Sequence, residues 1–124
     1  MIITESIEKK TQKTTPNNKR ICIGTKHKGD YVNVHDIVYV EAYENYSWLH
    51  VCNGKKFLSG KSLKHYVDKL QASRFTRIHR SYLVNLSFVK AYEKKYRLLH
   101  LQGDITLSVS FRKQPSFSRM IAAI

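Results

Sequence analysis

The stretch Arg77-Ile78-His79-Arg80-Ser81-Tyr82-Leu83-Val84-Asn85 sets two guanidiniums and an imidazole against an apolar, strand-like run. A guanidinium offers a planar fork of donors that fits two phosphate oxygens, or the O6 and N7 of guanine. The imidazole beside it can donate to the same acceptors. Upstream lie Lys55, Lys56, Lys61, Lys64, Lys69 and Arg74, so the span from Lys55 to Arg80 is opposed only by Asp68. Charge concentrated in this way is the footprint of a surface that meets phosphates. Plainer roles stand beside that one: Arg80 in a surface salt bridge, for instance with Glu44, and His79 as a hydrogen-bonded structural histidine. Asn85 closes an apolar run, where an amide side chain fixes the following turn more often than it meets a ligand.

The whole chain shares the imbalance. Its 124 residues carry 22 Lys and Arg against 9 Asp and Glu, a net charge of +13. From Lys61 onward the only acidic residues are Asp68, Glu93 and Asp104. Nucleic acid is the first partner this implies, with membrane lipid or an acidic protein as alternatives. No nucleophile elbow, Gly-rich phosphate loop or paired carboxylate supports an enzyme, and so few acidic residues leave a two-metal nuclease without obvious ligands. The histidines show no short metal-ligand spacing, so no metal, no cofactor and no small-molecule substrate is expected. Cys22 and Cys52 are too few for a disulfide framework and read as reduced, buried apolar fillers. No apolar run approaches the roughly 20 residues that span a bilayer, and no signal peptide is visible, which makes the cytoplasm the expected location.

The elements that would position these groups are mostly strands. Residues 1–20 are polar and turn-prone and read as a flexible basic arm; residues 21–124 read as one domain. Ile37 to Ala42 and Tyr46 to Cys52 are dense in β-branched and aromatic residues, with a turn at Tyr43-Glu44-Asn45. Asn53-Gly54 predicts a hairpin pairing Trp48 to Cys52 with Lys55 to Ser59. Leu63, Tyr66, Val67 and Leu70 fall at helical spacing, with Ser59, Gly60 or Ser62 near the N-cap. Strand texture returns in Phe75 to Leu86, Phe88 to Tyr92, Tyr96 to Leu101 and Ile105 to Val109, and a short helix is expected from about Pro115. Tyr39, Trp48, Tyr66, Phe75, Tyr82, Phe88, Tyr92 and Tyr96 are expected in the core, although a base-stacking platform for single strands would use the same residue types. The fold class is mostly β and largely antiparallel, with one or two short helices. No helix-turn-helix fits, so a nucleic-acid binder of this kind must reach bases with loops or strands.

Four blocks in order resemble the LytTR family of bacterial DNA-binding domains: Ile37 to Ala42 with Asn45-Tyr46, the helix opened by Ser62-Leu63, Phe75 to Asn85, and Leu107 to Ser110. The resemblance runs from about Val32 to Ile121. It implies an elongated fold of packed sheets and three loops that enter major grooves of duplex DNA: Asn45, Tyr46 and Ser47; His79, Arg80 and Ser81; and Ser110, Phe111, Arg112 and Lys113. Lys61 and Arg77 are the flanking cations. One departure stands out: Phe111 follows Ser110 where many members carry Arg, which hands the contact to Arg112 or packs Phe111 against sugar or a thymine methyl. The implied function is a sequence-specific transcription regulator reading promoter direct repeats, with a second copy on the adjacent repeat. The family domain usually follows a receiver domain, for which 124 residues leave no room, so a stand-alone regulator or an excised domain is expected, with a membrane-bound inhibitor or sensor as a regulatory partner. The alternative is a β-barrel module for RNA or single-stranded nucleic acid.

Overall fold

A sheet covered on both faces needs strands whose residues are apolar in succession, and Ile37-Val38-Tyr39-Val40 is such a run. The structure, a computed structural model, describes residues 20–22, 31–70 and 73–122. In it this run opens the central strand of a five-stranded antiparallel sheet. We number the strands β1 (Arg20–Cys22), β2 (Tyr31–Asn33), β3 (Ile37–Tyr43), β4 (Tyr46–Val51), β5 (Lys56–Ser59), β6 (Phe75–His79), β7 (Tyr82–Asn85), β8 (Val89–Glu93), β9 (Leu98–Leu101) and β10 (Ile105–Ser108). The helices are α1 (Leu63–Leu70) and α2 (Gln114–Ala122). The large sheet has the order β5-β4-β3-β7-β6, a second sheet the order β10-β9-β8, and β1 pairs with β2. The expected arm lies outside the described residues apart from Arg20, which opens β1.

Two apolar clusters lie on opposite faces of the large sheet. On one face Ile37, Val40, Leu49, Val51 and Leu83 meet Leu63, Tyr66 and Leu70 of α1 and Ile21 and Val32 of the β1–β2 pair. On the other, Val38, Tyr39, Ile78 and Val84 meet Leu99, Leu101, Leu107 and Val109 of the three-stranded sheet and Phe117 of α2. A bulge makes this possible in β3. Ile37 stands opposite Val51 and Tyr39 opposite His50, so one extra residue lets Ile37 and Tyr39 enter different cores.

Among the described residues, the Tyr92 hydroxyl beside the second core lacks a hydrogen-bond partner, whereas Asn85, Ser59 and Tyr66 are bonded. Asn85 donates through Nδ2 to Ile37 O at 2.9 Å and accepts from Ser87 N–H at 2.9 Å, so it ties β7 to the start of β3 while capping the next turn. The Ser59 hydroxyl and the Tyr66 phenol lie 2.6 Å apart, joining β5 to α1. Ser62 Oγ accepts from His65 N–H at the helix start.

Two expectations need correction. Cys52 is exposed and free in the turn after β4, because the hairpin leaves the sheet at Val51, one residue earlier than the apolar run ends; the Cys22 side chain lies outside the described residues. Tyr96 is 60% exposed, because β8 ends at Glu93 and β9 begins at Leu98, which puts it in the connecting turn. Among the described residues, no helix is long and apolar enough to cross a membrane.

Candidate nucleic-acid interface

Antiparallel strands bring alternate connections to the same end of a sheet, and here one end gathers every loop in question. β3 turns into β4 through Glu44-Asn45, closed by the Tyr43–Tyr46 pair. β6 turns into β7 through Arg80-Ser81, closed by the His79–Tyr82 pair. Ala42 N–H donates to Ser81 O at 2.9 Å, so the first loop is fastened to the second. Ser110 N–H donates to Ile78 O at 2.8 Å, which fastens the third loop to the strand carrying the second. Lys61 joins them from the far side: Ser59 is paired with Ser47, and Ser47 Oγ donates to Lys61 O at 2.8 Å. At about 4.8 Å between strands, the end of β5 lies roughly 17 Å from the β6–β7 turn.

The second loop is rigidly built. Within β6 a bulge sets Arg77 opposite Leu83 but His79 opposite Tyr82. Without the extra residue His79 would face Ser81 and share a side with Arg77; with it, the imidazole lies beside the Tyr82 ring at 5.3 Å. His79 Nδ1 accepts from Ser81 N–H at 3.1 Å, so the neutral ring carries its proton on Nε2, free to donate elsewhere. Arg77 donates through Nη2 to Arg80 O at 2.6 Å and through Nε to His79 O at 3.3 Å. Its guanidinium is thereby bound to the loop's own main chain, which fixes the turn and leaves Arg80 as the exposed, outward cation.

The third loop is capped from within. Ser110 Oγ accepts from Lys113 N–H at 3.1 Å, and Ser110 O accepts from Lys113 and Gln114 N–H, so this serine starts the turn that leads into α2. Phe111 is 79% exposed. Arg77, His79, Arg80, Ser110, Arg112 and Lys113 line one open groove of about 550 Å³. Among the described residues the side-chain nitrogens of Arg80, Arg112 and Lys61 have no ion-pair partner; Glu41 pairs with His50 at 2.9 Å and Asp68 with Lys64 at 3.3 Å, while Glu44 stands exposed in the first loop at the same end. Arg80, Arg112 and Lys61 with the His79 imidazole form a row of donors suited to phosphates and base acceptors.

Asn45 and Tyr46 are exposed at the tip of the first loop, but Ser47 is not. Its side chain is 0% exposed and its hydroxyl is spent on Lys61 O. Ser47 therefore holds the first loop against the Lys61 segment and touches nothing outside. The period-two pattern of Tyr46 to Val51 carries that signal, since Ser47 falls on the same side as Leu49 and Val51. A further group escaped sequence reasoning. The β8–β9 turn, with Lys94, Lys95 and Arg97, flanks the third loop, as the Val109–Arg97 pairing shows.

The family model of the LytTr DNA-binding domain matches residues 30–122. The chain belongs to the LytTR family. Similar curated proteins are the CO-responsive transcriptional regulator RcoM of Rhodospirillum rubrum, 30% identical over 77 residues, and the sensory transduction protein LytR of Staphylococcus saprophyticus, 25% identical over 117 residues. These alignments cover 62% and 94% of this chain but only 32% and 44% of the relatives, so the chain spans less than half of either. A LytTr DNA-binding domain from Bacillus cereus has the same fold, with a TM-score of 0.70 at 22% identity, covering 82% of this chain and 95% of that one. The LytTR domain is a DNA-binding module, and the mostly β, antiparallel architecture expected from sequence is the one observed.

Proposed function

We propose that the chain is a transcription regulator that reads direct repeats in duplex DNA through the three fastened loops, placed in the major groove. The observation that carries this reading is the convergence of Arg80, His79 and Arg112 on one groove at the loop end of the sheet, each presenting donors without an acidic partner. A major groove is about 12 Å wide, so a row extending roughly 17 Å to Lys61 overruns it. Arg80 and Arg112 then meet base edges while Lys61 lies over the phosphates of the rim. Asn45 and Tyr46 approach from the first loop, and Ser81 and Lys113 support the second and third.

The proposal includes a second copy on an adjacent repeat. It also includes regulation by a membrane-bound inhibitor or sensor protein.

A binding selection from randomised duplex DNA tests the reading. Enrichment of a short motif, bound tighter as duplex than as either single strand, is the expected result. Equal recovery of all sequences, or preference for the unpaired strand, would transfer the argument to the single-strand alternative.

A further inference from the structure

Beyond the three loops, a fourth element reaches the same end of the molecule. The β8–β9 turn, Lys94 to Arg97, is bonded to the base of the third loop: Val109 N–H donates to Arg97 O at 2.8 Å, and Arg97 Nε donates to Val109 O at 3.2 Å. The Arg97 guanidinium lies over the Phe111 ring at 5.6 Å, and Lys95 Nζ lies 5.4 Å from the Tyr96 ring. Lys94, Lys95, Arg97, Phe111 and Gln114 line an open cleft of about 490 Å³ with an apolar floor. Arg97 takes a left-handed backbone conformation, φ 54°, where glycine or asparagine would fit without strain. A large cation held in such a position, aimed along an exposed aromatic ring, suits a ligand that is anionic on one side and apolar on the other.

We infer that this cleft is an additional DNA-backbone site, which takes the sugar-phosphate segment just outside the groove entered by the third loop. The inference rests on the duplex reading proposed above and extends it from the third loop to the adjoining β8–β9 turn. Lys94 and Lys95 neutralise phosphates, Phe111 packs on the deoxyribose between them, and Arg97 holds the Phe111 ring in place while adding its own charge. This accounts for Phe111 standing exposed beside the groove: its neighbours are cations, and its ring supplies the contact with sugar. Such a clamp adds affinity without reading sequence, since phosphate contacts position a protein and base contacts specify its site.

The experiment measures affinity against salt on a selected duplex and on a scrambled one, for the unmodified chain, for a Lys94→Ala/Lys95→Ala variant and for Lys90→Ala. Lys90 is exposed on β8 but lies at the opposite end of that strand from the turn. The double variant should lower the steepness of log K against log salt by about 1 to 2 units while keeping the selected-to-scrambled ratio, and Lys90→Ala should leave the slope as it was. Phe111→Ala should weaken both duplexes with the slope unmoved, the mark of an apolar contact. An unchanged slope in the double variant overturns the inference, as does an equal fall for Lys90→Ala, which would show diffuse charge instead of a site. All substituted side chains are on the surface, and coincident thermal unfolding of the variants verifies that each is folded. If the unmodified chain fails to distinguish the selected duplex from the scrambled one, it is the three-loop reading that fails; if it succeeds and the double variant matches it, only the cleft is lost.

Discussion

At the scale of single residues, the interface depends on which polar groups are spent inside the fold and which are left over. Ser47 is the clearest case of the first kind. Its hydroxyl satisfies Lys61 O in a part-buried setting, so Ser47→Ala leaves that carbonyl without its partner and should destabilise the fold by about 1 kcal/mol, read from denaturant midpoints. The loss should extend to DNA affinity, because the first loop and Lys61 then separate. His65 makes the fold sensitive to acid. Burial lowers its pKa from the usual 6.5, Lys61 and Lys69 lower it further, and Asp68 opposes them. The unfolded chain therefore takes up the proton more readily, and stability should fall as pH drops through about 6.5 and below. Unfolding midpoints at pH 7.5 and pH 5.5 check the sign, and the difference between them should shrink in His65→Gln.

Elements carry the geometry. Asn85 sits where β7 ends, holding both Ile37 O and Ser87 N–H, so Asn85→Ala removes a buried amide that two elements share. A loss of about 1 to 3 kcal/mol in chemical denaturation is expected, and a change within a few tenths would refute the shared role. Much at this scale was legible beforehand. Asn53-Gly54 marked its hairpin, and the spacing of Leu63, Tyr66 and Leu70 marked α1, whereas the charge run from Lys55 to Arg80 is spread over several elements, with Lys56 at the far end of β5 from Ser59. Periodicity could not show the bulge at Arg77 to His79, because inserting one residue changes which face each side chain takes without altering the composition of the strand. Nor could it show that Arg77 would bind its own loop, since a guanidinium committed to carbonyls and one free for DNA look alike in sequence. The three loops were grouped by resemblance alone. What joins them physically are two main-chain bonds, Ala42 to Ser81 and Ser110 to Ile78, between residues far apart in the chain.

Viewed whole, the molecule is a strongly cationic body, net +13, whose loop end presents Arg80, Arg112 and Lys61 alongside the acidic Glu44 of the first loop. If about 5 phosphates are neutralised, log K should fall with log salt at a slope near −4 to −5, and a slope near zero would remove the electrostatic basis of binding. Two copies on one face of the duplex require repeats spaced close to a helical turn, so inserting half a turn should weaken joint occupancy in a footprinting titration. The central claim is that the second loop reads a base while Lys61 only meets the backbone. It is tested most directly by paired affinities on selected and scrambled duplexes for Arg80→Ala and Lys61→Ala. Arg80→Ala should lose about 1 to 3 kcal/mol on the selected site and far less on the scrambled one, whereas Lys61→Ala should weaken both by similar factors and reduce the salt slope by about one unit. A selected-to-scrambled ratio that survives Arg80→Ala unchanged would contradict the account and pass the reading of sequence to Asn45 or Arg112.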